Sequence, residues 1–209
     1  MQQTKENLIR FWERNGIVKS KRVIEAFRKT RREDFIPEEY KKEAYEDIPL
    51  PIAKGQTISQ PTTIAAMLEF LDVKENSKIL EVGAGSGYNA ALMSCLTKNK
   101  IITMERIAEL AELARTNIKR AGIKNVEVVH ADGTDGYEKE APYDRIIATC
   151  GSTHIPGAWK DQLKNNGILV VPVGHEEREM IVAKKAKDAL KAETKGLYRF
   201  VPLIKGTEN

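Results

Sequence analysis

The sequence predicts an α/β protein: a doubly wound, mostly parallel sheet with an antiparallel edge strand and a helical N-terminal extension. Three observations carry this. From Ser77 onward, short apolar runs alternate with helical patterns. One run, Ile79-Leu80-Glu81-Val82, breaks into glycines at every second position (Gly83, Gly85, Gly87) before the helix-forming residues Ala90, Ala91 and Leu92. That order is a strand, a tight turn and a helix start, the first βα unit of a nucleotide-type site. The strand runs are also predominantly apolar and bounded by turn residues, as in parallel strands covered on both faces.

The elements follow in order. Leu8, Ile9, Phe11 and Trp12 form a helical stripe over Asn7–Asn15 that stops at Gly16. Ser20 is placed to N-cap a second helix, Lys21–Lys29. Four prolines (Pro37, Pro49, Pro51, Pro61) make residues 34–61 loop-rich, with Pro61 placed in the first turn of a helix, Thr62–Leu71. Residues 1–75 thus form a helical and loop extension, and 76–209 the alternating domain. Strands are expected at Lys78–Val82, Lys100–Met104, Val126–His130, Arg145–Thr149 and Gly167–Val173, and helices at Tyr88–Thr97, Ile107–Ala121 and His154–Leu163. In the tail, Met180–Lys185 and Tyr198–Leu203 are expected to pair antiparallel at the sheet's far edge, joined by a charged segment.

Composition narrows the function classes. Of 209 residues, 41% are apolar and 31% charged, enough for a packed core. The net charge of +4 is spread without a run of five like charges, which gives a nucleic-acid partner little support. Cys95 and Cys150 lie far apart with no CxxC, so neither a metal site nor a disulfide framework is indicated. Both are expected as small buried hydrophobes. No run of 18 apolar residues and no apolar leader occurs, so the expectation is a cytoplasmic protein off the membrane; a monomer is expected as well.

Candidate site residues fall at successive strand ends. A dinucleotide fingerprint is G-x-G-x-x-G, but position 88 here is Tyr. Glu81, just before the first glycine, has no use beside a pyrophosphate and suits a cationic ligand. Glu105 comes 22 residues after Gly83, placed to accept hydrogen bonds from ribose hydroxyls; the lesser alternative is a cap for the next helix. Asp132-Gly133 is placed to take an adenine amino group and leave room for the ring, or to make a plain turn.

The motif Glu-x-Gly-x-Gly-x-Gly resembles the first motif of class I S-adenosylmethionine-dependent methyltransferases, whose sheet is Rossmann-like. The stretch Gly55-Gln56-Thr57-Ile58-Ser59-Gln60-Pro61, with the terminal Arg199-Phe200-Val201-Pro202-Leu203, resembles the protein-L-isoaspartate (D-aspartate) O-methyltransferase family. So do Glu105-Arg106-Ile107, Ala131-Asp132-Gly133 and Pro142-Tyr143-Asp144-Arg145. The resemblance implies methyl transfer from S-adenosyl-L-methionine to the α-carboxyl of L-isoaspartyl (and D-aspartyl) residues in damaged proteins and peptides. It implies that Glu81, Gly83, Ala84, Gly85, Ser86, Gly87, Glu105, Arg106, Asp132 and Gly133 hold the cofactor. It implies Ser59 as the active-site serine, and Gln56, Thr57, Ile58, Ser59 and Val201 as substrate contacts. Ser59 also reads as an N-cap near Pro61, and His154 as a helix-start residue rather than a base. A carboxylate is already ionised near neutral pH and needs no base. Three other readings are weaker. A methyltransferase of RNA or a small molecule predicts a basic groove or an amine-binding motif that the chain lacks. A non-catalytic module would not need all three acids, and an NAD oxidoreductase conflicts with the glycine spacing.

Overall fold

The computed structural model describes residues 3–187 and 189–208. In chain order the elements are α1 (Lys5–Arg14), α2 (Lys21–Lys29), β1 (Leu50–Pro51), β2 (Thr57–Ile58), α3 (Pro61–Leu71), β3 (Ile79–Val82), α4 (Tyr88–Ser94) and β4 (Ile101–Glu105). There follow α5 (Ala108–Arg120), β5 (Val126–His130), β6 (Tyr143–Ala148), α6 (Gly157–Gln162), β7 (Leu163–Gly174), β8 (Arg178–Ala186) and β9 (Ala189–Tyr198). Thr4 and Ser20 accept backbone N–H groups at the starts of α1 and α2, so the Ser20 cap is borne out.

The seven-stranded sheet runs β5-β4-β3-β6-β7-β8-β9. Its first five strands are parallel, while β8 pairs antiparallel to β7 and β9 to β8. The strand order reverses between β3 and β6, and a parallel sheet opens a crevice at the carboxyl ends of strands at such a point. Alternate side chains serve two cores. Ile79, Ile101, Ile147 and Val170 pack with α1 to α5; Leu80, Val82, Ile102, Met104, Ile146 and Leu169 pack with Trp159 of α6. The N-terminal helices therefore cover one face of the sheet. Buried Arg145 on β6 ties them down, donating from Nε to the Leu71 carbonyl at 2.6 Å and from Nη2 to the Asp72 carbonyl at 2.7 Å. Those carbonyls are left over at the end of α3.

Three expectations are corrected. The strand expected at Tyr198–Leu203 is absent; the partner of β8 is β9, inside the segment read as a charged connector. An edge strand has one neighbour and little cover, so it needs hydrogen bonds but no apolar run. The apolar residues 200–203 instead cross the carboxyl end of the sheet, where Gly151 N–H donates to the Val201 carbonyl and Leu203 N–H to the Gly151 carbonyl. The helix expected from His154 starts at Gly157, and Leu163 already pairs with Tyr143 in the sheet. Cys95 is exposed at the end of α4, beyond its buried face, whereas Cys150 is buried as expected.

Replacing Arg145 by Leu takes the donor from the buried Leu71 carbonyl and from the partly exposed Asp72 carbonyl, and the expected loss is about 1–3 kcal/mol of unfolding free energy. Equilibrium urea unfolding of Arg145→Leu checks this; an unchanged midpoint would show that the α3 end needs no donor.

Candidate functional site

The glycine turn after β3 sits at the reversal of strand order. Gly83 and Gly87 have φ of +98° and +84°, a region that side chains with a Cβ rarely enter. A Cβ on Gly83 would run into the Thr149 hydroxyl, and one on Gly87 would sit tightly, 3.3–3.4 Å from Ala114 and Ile118 of α5. The turn is clamped from both sides. Thr149, at the end of β6, donates from its hydroxyl to the Gly83 carbonyl at 2.5 Å. Asn117 of α5 donates from Nδ2 to the Ser86 carbonyl at 2.9 Å.

The three candidate acids occupy different depths. Glu105 is buried at the end of β4, its Oε2 accepting the Gly85 N–H at 2.9 Å and its Oε1 the Ile107 N–H at 3.1 Å. It therefore both braces the turn and caps the approach to α5, and carboxylate lone pairs remain for hydroxyl donors. Glu81 lies fully buried below the turn. Asn89 donates from Nδ2 to its Oε1 at 2.7 Å, while Glu81 Oε2 and Asn89 Oδ1 are buried with no partner. Burial pushes the Glu81 carboxyl up to about 7; the Thr103 hydroxyl and the Asn89 amide oppose the rise, and the nearby Glu105 adds to it. Asp132 is half-buried. Burial would raise its pKa, but the N–H groups of Gly206 (2.6 Å) and Thr134 (2.8 Å) outweigh that and hold it below the ordinary carboxylate value.

Gly206 belongs to the chain's last stretch, which straps the carboxyl ends of the strands. Arg178 donates from Nη1 to the Phe200 carbonyl at 2.7 Å. Beyond Leu203, Arg106 donates from Nε to the Gly206 carbonyl, and Glu208 exchanges backbone hydrogen bonds with Arg106 and Ala108. Between turn and strap lies a cavity of about 300 Å³, within the range of small-molecule sites. Its wall takes in Gln56, Thr57, Gly83, Gly85, Glu105, Arg106, Gly133 and Val201 among the expected residues, with apolar cover from Met104, Ile107, Leu110, Leu203 and Ile204.

Ser59 stands beside that cavity. It lines a groove of about 800 Å³ with Gln60, Thr62, Tyr198 and Phe200, and Thr57, Thr149 and Val201 belong to both groove and cavity. A smaller space between them is bordered by Ile58, Ser59, Ala84, Ser86 and Asn89. Ser59 does not N-cap α3. Gln60 holds the cap position, and Asp47 accepts the Thr62 N–H at 2.9 Å from across the loop. Glu81, Gly87 and Asp132 line neither cavity nor groove. His154 is exposed in the loop before α6, with Nδ1 at 3.0 Å from the Thr153 hydroxyl, on a separate depression. Sequence reasoning missed Thr149, Asn89 and the strap beyond Leu203. A threonine closing a strand and an asparagine opening a helix have no distinctive spacing.

Known proteins resemble this chain in sequence and fold. The family model for protein-L-isoaspartate(D-aspartate) O-methyltransferase (PCMT) matches residues 2–208. A protein-L-isoaspartate O-methyltransferase of Pyrococcus abyssi is 47% identical over 195 residues, which are 92% of this chain and 90% of the relative. A solved protein-L-isoaspartate O-methyltransferase superposes with a TM-score of 0.86 at 30% identity, over 99% of this chain and 68% of that one. A Plasmodium falciparum protein described as a beta-aspartate methyltransferase, solved with S-adenosyl-L-homocysteine, gives 0.85 at 25% identity, over 98% of this chain and all of that one.

The raised Glu81 pKa makes a prediction with a definite sign. The native carboxyl holds its proton up to about pH 7, whereas the unfolded one releases it near about 4.3. Its contribution to stability is full below the unfolded value and lost as pH rises through the native one. Glu81→Gln, which cannot titrate, is expected to gain on the parent between about pH 5 and about pH 8, by up to about 3 kcal/mol. Chemical denaturation at both pH values checks it; a constant difference would mean that the carboxylate is ionised throughout.

Proposed function

The chain belongs to the protein-L-isoaspartate(D-aspartate) O-methyltransferase family, and from that premise we propose how its residues divide the work. The enzyme is an S-adenosylmethionine-dependent protein carboxyl O-methyltransferase that repairs proteins carrying L-isoaspartyl residues. Esterification of the isoaspartyl α-carboxyl lets the following backbone nitrogen attack the ester and expel methanol, closing a succinimide, and hydrolysis then returns part of it to normal aspartyl. We extend the substrate to D-aspartyl residues, and assign the enzyme to the cytoplasm as a monomer without a nucleic-acid or membrane partner.

The residues present fit the cofactor. At Gly83 and Gly133 a Cβ would fill the space against Thr149 and Val82, so the backbone can lie close to a ligand. Glu81 Oε2 and Asn89 Oδ1 are buried acceptors short of a donor, which the ammonium of a bound amino-acid group would supply. When bound, the cofactor supplies a methyl group made electrophilic by its sulfonium. In our reading Glu105 accepts the ribose hydroxyls, Asp132 and Gly133 take the adenine edge, and Arg106 with the strap shields it. The turn Gly83–Gly87, with Ala84 and Ser86, presents its backbone to the amino-acid end.

The observation that carries this reading is the meeting of cavity and groove at Thr57, Thr149 and Val201, with Ser59 on the rim. A carboxylate in the groove can there face a methyl group in the cavity. Methyl transfer is an in-line displacement, so holding oxygen, methyl carbon and sulfur collinear is the enzyme's main task. The Ser59 hydroxyl donates to the substrate carboxylate and sets its angle; it forms no covalent bond. Gln56, Thr57 and Ile58 shape the wall, and the backbone at Val201 pairs with an extended peptide, which tolerates varied neighbours. The substrate oxygen is an anion near neutral pH, so no proton has to be removed.

Two measurements test this. A peptide with one isoaspartyl residue is expected to take up labelled methyl groups, and its aspartyl isomer none; equal labelling of both would refute the substrate assignment. Ser59→Ala removes a hydrogen bond to a charged group, about 1.5–3 kcal/mol, and is expected to lower kcat/KM about ten- to a hundredfold. Calorimetry with S-adenosylhomocysteine is expected to give an unchanged affinity; a matching loss there would make Ser59 a cofactor residue.

A further inference from the structure

Arg32 opens the 3₁₀ turn Arg32–Phe35 and is fully buried. Its guanidinium lies 5.5 Å from the centre of the Tyr88 ring, and Nη1 donates to the Ser59 carbonyl at 2.9 Å. Nε and Nη2 are buried without a partner, and among the described residues no carboxylate pairs with the group. Burial draws its pKa down to about 10, against the opposing influence of Tyr88, Tyr45 and the Asp47 carboxylate, which lies nearby without a salt bridge, so it stays charged near neutral pH. An unpaired buried charge is costly, and an apolar side chain of the same size is often as stable or more so. Folding alone therefore does not account for an arginine here.

Its hydrogen bond points to the reason. The loop that carries Ser59 is also gripped by Asp47, which accepts from Gln60 Nε2, the Thr62 N–H and the Thr62 hydroxyl. Trp12 adds a hydrogen bond from Nε1 to Thr62 Oγ1 at 2.7 Å. These contacts fix residues 60–62 and leave the preceding peptide to Arg32. We propose that Arg32 is a positioning residue for methyl transfer: by holding the Ser59 carbonyl it sets the direction of the Ser59 hydroxyl on the wall between groove and cavity. This rests on the assignment of Ser59 to the substrate carboxylate.

A double-mutant cycle on the full chain tests it, with kcat/KM for an isoaspartyl peptide and S-adenosylhomocysteine affinity as readouts. Arg32→Met is expected to lower kcat/KM about tenfold, keep the affinity within about twofold, and cost less than about twofold more when added to Ser59→Ala. Arg32→Lys, which retains a donor for the carbonyl, is expected to recover part of the rate. A merely structural role would cost as much with Ser59 absent as with it present, so equal losses in both backgrounds overturn the proposal, as does an unaffected Arg32→Met enzyme. If Ser59→Ala is itself fully active, the Ser59 assignment falls and the proposal with it. Should Arg32→Met not fold, Arg32→Gln takes its place in the cycle and the same outcomes decide.

Discussion

Much of this molecule is arranged around one short stretch of backbone, the glycine turn between β3 and α4. The turn needs positive φ at Gly83 and Gly87 and leaves no room for a Cβ at Gly83 and little at Gly87. Such a backbone is floppy when free, since glycine has the most conformational freedom to lose. It holds one shape because Thr149, Asn117 and Glu105 each satisfy one of its peptide groups from a different strand or helix. The turn is thus a product of the sheet order: it can be clamped this way only where the ends of β4 and β6 flank that of β3.

The same position accounts for the acids. Parallel strands end together, so residues that close β3 and β4 and follow β5 gather at one edge although they lie up to 51 positions apart, from Glu81 to Asp132. Depth then separates them. Glu81 is enclosed and holds its proton to about pH 7; Asp132 is half-buried, holds two backbone N–H groups and stays ionised. The acid that braces the strap is therefore a firm anion. The one beneath the turn is poised to change charge when a cation enters beside it, since an opposite charge nearby favours the ionised form.

The substrate side is built from pieces remote in sequence. Ser59 comes from the loop-rich lead-in, Thr149 from the end of β6 and Val201 from the strap, and they meet only because the lead-in helices pack on the sheet face from which β3 and β6 emerge. Arg145 and Arg32 are the joints of that packing: one holds the end of α3, the other the loop just before it. Both are arginines spent on backbone carbonyls, which suits a group that offers several donors in a fixed plane.

By itself the sequence determined the alternating α/β order, the three-glycine turn, the strand-end acids and the family, because each is a local pattern: apolar runs, glycine at forced backbone angles, short motifs of fixed spacing. It did not reveal the tail, where an exposed edge strand has no apolar signature and the apolar run 200–203 serves as a cavity wall instead. Nor did it separate Glu81 from Asp132, since burial and hydrogen-bond partners, which set each acid's charge, come from residues far along the chain. Arg32, Asn89 and Thr149 were legible only in three dimensions for the same reason. A lone polar residue carries no period or spacing, and its role lies in the backbone group it meets after folding.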